Sequence, residues 1–125
     1  MIGLHQALVE HCLETAKQML DQTNEFHPFG AFLGKNGTVH PLGVEVDKKN
    51  IPSNGDLIQQ LNDLAKTENI EHYSLCYEVS IQLETSRNPT DAICVEIKVK
   101  DVPKFYLPFS KAGETFVYEE VFAVE

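Results

Sequence analysis

Histidine and cysteine are the residues of this 125-residue chain best suited to metal binding or nucleophilic catalysis, and their spacing offers neither. His5 and His11 stand six apart, off the i, i+4 face that a helical metal pair needs. His27 and His40 fall near opposite ends of a strand pair. His72 has Glu71 beside it, but adjacent strand residues point to opposite faces. Cys12, Cys76 and Cys94 make no Cys-x-x-Cys and no Cys–His spacing of zinc-site type, so they read as buried, reduced thiols. No Gly-x-Ser-x-Gly elbow and no glycine-rich phosphate loop is present. Neither metal nor cofactor is therefore expected. An enzyme remains an alternative only through a site assembled in the fold from His27, His40, Asp91 or Cys76.

Binding chemistry has more to work with. Phe26-His27-Pro28-Phe29-Gly30-Ala31-Phe32 crowds aromatics around a proline and a glycine. Phe29 is expected in the core, with Gly30 allowing close approach. The functional alternative is a shallow apolar groove over Gly30 and Gly43, walled by Phe26 and Phe32. Arg87, the only arginine, stands in Arg87-Asn88-Pro89-Thr90-Asp91 at a hairpin tip. It is a candidate anchor for an acidic group, with Asp91 bonding the loop backbone. Lys98, Lys100, Lys104 and Tyr106 form a candidate partner-binding surface on a polar sheet face. The four Lys between Lys98 and Lys111 are followed by four Glu between Glu114 and Glu125.

Residues 3–23 read as a helix. Its stripe is Val9, Cys12, Leu13, Ala16, Met19 and Leu20, with Asn24 and Pro28 ending it. Asn36-Gly37 is a strong hairpin signal. With those two as the central turn residues, Gly30 faces Gly43, Phe32 faces Pro41, and one face carries Phe29, Ala31, Leu33, Leu42 and Val44. Ser53, with Asp56 three residues on, starts a second helix over about 54–68 whose apolar face is Leu57, Ile58, Leu61, Leu64 and Ala65. Residues 73–83 and 93–99 then alternate apolar and polar, as half-buried strands do. Matching like faces across a Thr85–Asp91 loop sets Glu78 against Lys98, Ser80 against Glu96 and Gln82 against Cys94. Cys76 and Cys94 are then about 20 Å apart at strand rise, too far for a disulfide. Phe105, Leu107 and Phe109 give a shorter third strand, with Pro103 and Pro108 taken as its bounds. Residues 115–124 give a fourth with less distinct faces.

Consecutive strands without intervening helices argue for a single α+β domain over residues 1–125. Its architecture is an antiparallel sheet of five to six strands with two helices packed on one face, in the order α-β-β-α-β-β-β-(β). Phe26–Phe32, Asn36-Gly37 and Thr90-Asp91-Ala92-Ile93 resemble a bacterial family of small proteins of unassigned function. That family shares an aromatic-x-Pro-Phe-Gly-Ala start, an acidic helix and a Thr-Asp-Ala-Ile strand start. The resemblance implies one intact bacterial domain and carries no chemistry.

Composition narrows the partner. Ten Lys and Arg against nineteen Asp and Glu give a net charge of −9, which excludes nucleic acid as the main partner. No apolar run approaches the roughly 18 residues of a membrane span. The first residues lack a basic head and long apolar stretch, so a cytoplasmic location is expected. The function expected is a non-enzymatic interaction module for a protein partner, such as an inhibitor or immunity-type protein for a basic protein. A homodimer using an exposed strand edge is the other structural alternative.

Overall fold

A computed structural model describes residues 2–44, 49–50, 52–83, 88–99 and 102–124, with side chains from residue 5 onward. Helix α1 (Ile2–Thr23) buries Val9, Cys12, Leu13, Ala16 and Leu20 of the expected stripe, with Leu8 buried beside them and Met19 only partly covered. It stops where Asn24 turns left-handed at φ 66 and its N–H donates to the Leu20 carbonyl at 2.8 Å.

Strands β1 (Phe29–Leu33) and β2 (Val39–Leu42) form the expected hairpin in a different register. The Gly34 N–H donates to the Thr38 carbonyl at 2.8 Å, and Gly37 sits at φ 79, so Lys35, Asn36 and Gly37 make a three-residue loop. That extra residue sets Gly30 against Leu42 and Phe32 against His40. A one-residue slip exchanges faces. Phe29, Ala31 and Leu33 therefore pack with α1, whereas Phe32, Leu42 and Val44 pack with the second helix.

Helix α2 (Asn54–Thr67) is capped by Ser53, whose hydroxyl accepts from the Asp56 N–H at 3.2 Å. Strands β3 (Tyr73–Ile81), β4 (Thr90–Ile97), β5 (Lys104–Ala112), β6 (Thr115–Tyr118) and β7 (Phe122–Val124) complete an antiparallel sheet. The order is β2-β1-β3-β4-β5-β6, with β7 also on β5. The fold is α+β in the expected order of elements.

The helices do not share one face. Ser74 and Cys76 meet Cys12 of α1, whereas the Tyr73 hydroxyl donates to Asn62 of α2 at 2.8 Å. Neighbouring strand residues point to opposite sides, so α1 and α2 cover opposite faces. The first half of β3 is consequently buried on both faces, Ser74 included. Ser74 was expected on the wet side of the alternation, whereas Cys76 was read as a buried thiol. Both are small groups that let α1 approach, and the Ser74 hydroxyl is satisfied by Cys12 Sγ at 3.2 Å and the Ala31 carbonyl at 3.4 Å.

This double cover also corrects the long hairpin. Glu78 faces Ile93, Cys76 faces Val95 and Tyr77 faces Cys94, so the polar side of β3 shares a face with the apolar side of β4. The expected Glu78–Lys98 pair is not formed; Lys98 pairs with Glu96 of its own chain segment at 2.9 Å. Cys76 and Cys94 lie in adjacent rows on opposite faces rather than far apart. All three cysteines are free and buried.

The C-terminal strand has indistinct faces for a reason that lies in β5. Pro108 sits within β5 with its carbonyl accepting from the Glu119 N–H at 2.9 Å. In that pair the return bond needs a proline N–H that does not exist. Beyond it the register slips by one: Phe109 faces Tyr118, but Tyr106 faces Phe122, so a bulge separates β6 from β7. Phe116 and Tyr118 thus turn to the α1 face, and Phe122 and Val124 to the other.

Candidate functional site

Helix α2 packs on β1, β3 and Leu42 of β2. Among the described residues no helix lies over β4, β5 and β7 on that face. The open half is built by side chains that alternate onto it: Tyr77 from β3, Cys94 and Glu96 from β4, Lys104 and Tyr106 from β5, and Phe122 and Val124 from β7.

Glu96 is the hub. Tyr77 donates to its Oε2 at 2.7 Å, Lys98 donates to its Oε1 at 2.9 Å, and Lys104 Nζ stands 3.9 Å from Oε2. Partial burial would raise its pKa, but these donors and positive charges outweigh that and hold the carboxyl below its usual range. Burial, then the bond to Glu96, push the Tyr77 hydroxyl well above its usual range. Cys94 lies beneath Tyr77 and Tyr106, and burial raises its thiol. The Tyr106 ring stacks on Phe122 with centroids 5.6 Å apart. Beside it Ile81, Gln82, Leu83, Tyr106, Phe122 and Val124 line an open hollow of about 330 Å³.

This arrangement holds a thiol whose pKa is raised by burial and a carboxylate that accepts one hydrogen bond on each oxygen, from Tyr77 and from Lys98. Among the described residues no cluster of three or more His, Cys, Asp or Glu is placed to hold a metal ion.

Lys98 and Tyr106, expected from the sequence, do share this face. Lys100 and Arg87 lie outside the described residues. Asp91 is exposed at the start of β4 opposite Ser80, and its charge adds to burial in raising Glu78. Phe26 and Phe32 do not wall one groove. Phe26 is buried against α1 with its ring 6.2 Å from Phe29, while Phe32 faces α2 and stacks on His40 at 5.2 Å. Gly30 is buried, and a Cβ there would run into the Ser74 carbonyl oxygen. A hollow of about 420 Å³ does touch Phe32 and Gly43, but it lies between β2 and α2, with Pro41, Leu42, Leu64, Glu68 and Ile70.

The residues weighed for catalysis are not gathered into one site. Cys76 is closed off under α1, His40 is on the opposite face of an edge strand, and His27 is in the segment before β1. The fold instead brings His5 and His72 together, with ring centroids 6.0 Å apart, a pair that sequence spacing does not suggest. Burial and then the neighbouring His72 lower the pKa of His5. Tyr77, Glu96, Phe122 and Val124 were not singled out from the sequence. Finding them needed the β3–β4 register and the bulge after Pro108, and only the proline is visible in the sequence.

Comparison with protein-family models, curated proteins and solved structures finds no match to this chain.

Proposed function

We propose that the protein is a non-enzymatic interaction module whose open half-face engages a protein partner. One observation carries the reading. α2 covers one half of its sheet face and leaves the other with the Tyr106–Phe122 stack and the Glu96–Lys98–Lys104 network at the surface. Aromatic residues at the centre with a polar rim are the usual anatomy of protein–protein interfaces. The net charge of −9 favours a basic partner, as an inhibitor or immunity-type protein would have. The motif likeness to a small bacterial family is compatible with this reading and adds no chemistry to it.

Affinity capture from the native host with quantitative mass spectrometry tests the reading. The wild type and a face variant, Tyr106→Ala with Glu96→Gln, are compared. A basic protein enriched about tenfold by the wild type and lost with the variant supports the proposal. Equal capture by both defeats it, provided circular dichroism shows the variant folded.

A further inference from the structure

All of the large hydrophobic side chains exposed among the described residues fall on one short segment: Val117 at 49%, Val121 at 43%, Phe122 at 37% and Val124 at 48%. That segment is β6–β7, the outer edge of the sheet, with β5 on its inner side and no strand on its outer side among the described residues. An edge strand turns alternate backbone N–H and C=O groups outward, ready to pair. Grouped apolar exposure on such an edge marks an interaction surface.

The charges on the same segment choose the occupant. Glu114, Glu119 and Glu120 are exposed and make no ion pair among the described residues, and no Lys or Arg lies between residues 114 and 124. A second copy paired antiparallel along this edge would bring carboxylates only against carboxylates or neutral residues, never against a base. Like charges facing across strands are destabilising. A basic strand would instead meet acid at each of these places.

Resting on the interaction-module reading, we propose that the β6–β7 edge accepts an extended, basic segment of a partner protein as an added strand. Lysine or arginine of that segment meets Glu119 and Glu120. One apolar side chain enters the hollow bounded by Ile81, Tyr106, Phe122 and Val124. The bulge between Tyr118 and Phe122 divides the edge, so pairing runs along one or other short stretch and register is set where the hollow takes its side chain.

The probe is a synthetic peptide, Lys-Val-Lys-Ile-Lys-Val-Lys-Ile, followed by fluorescence anisotropy against the whole chain. Controls are its Glu-for-Lys counterpart and a version N-methylated at every second residue, which keeps charge and apolar surface but loses backbone donors. The basic peptide should bind about tenfold or more tightly than either control. Phe122→Asp, an exposed position whose change the fold should tolerate, should weaken it by a similar factor. Glu119→Lys with Glu120→Lys should reverse the preference toward the acidic peptide. Equal binding of the N-methylated peptide would overturn strand addition in favour of charge adhesion. A wild-type dimer by sedimentation that Phe122→Asp disperses would overturn it in favour of a second copy. If no peptide binds while the face variant still loses its captured partner, the edge inference falls and the interaction module stands.

Discussion

Gly30 shows how narrow the tolerance is at a single position. Its Cα lies so close to β3 that an added Cβ meets the Ser74 carbonyl, with Leu42 Cδ2 at 3.4 Å on the other side. Backbone cannot yield as a flexible side chain can, so Gly30→Ala should cost about 1–3 kcal/mol in urea unfolding, as overpacking does. Gly43, with no atom of the described residues within 4 Å of an added Cβ, should accept alanine with little change. Glu96 makes a prediction in pH. Its folded pKa lies below the ordinary value of 4.5, so it adds stability above that value and loses it as pH falls through the lowered one. Glu96→Gln should therefore be less stable than wild type at neutral pH. The gap should narrow in acid, measured by urea unfolding at a series of pH values from neutral down through 4.5 and below. Glu96 and Lys98 were legible in the sequence as polar-face residues. Their pairing was not, because a local pattern does not fix which row of the neighbouring strand lies opposite.

At the scale of elements, helix ends are written locally and are the best-read features. Ser53 caps α2 as its position before Asp56 suggests, and Ser53→Ala should destabilise the fold by about 1 kcal/mol by leaving the Asp56 N–H unbonded. Thermal or urea unfolding measures it, and no change would mean that water replaces the hydroxyl. Asn24 and Asn69, at φ 66 and φ 55, end their helices where the sequence places the stops. Registers are less local. The β1–β2 slip came from a three-residue loop around Asn36-Gly37, a sequence equally suited to a two-residue turn. Pro108 was read as a boundary to β5, yet β5 runs through it to Ala112. Its missing donor acts on the partner strand, where it turns Phe122 and Val124 to the face opposite Phe116.

For the whole molecule, charge and cover set the behaviour. The acidic edge should keep the isolated chain monomeric at neutral pH despite its exposed valines and Phe122. Replacing Glu114, Glu119 and Glu120 by Gln removes the repulsion, so sedimentation velocity should show that variant associating at neutral pH. Phe122→Asp should suppress that association. A stable dimer at neutral pH would contradict this account of the edge. No helix among the described residues is long and apolar enough to cross a membrane.

The sequence by itself determined the element types, their order, the helix faces and caps, and the acidic balance, because each depends on periodicity or on neighbours a few residues away. Tertiary structure alone decided which face each helix covers, and hence why Ser74 is a core residue. It also decided that Tyr77, Glu96, Tyr106 and Phe122 share an open surface. A strand displays two faces of equal standing to the sequence. Only the register of its neighbours and the position of the covering helices settle which of them stays dry.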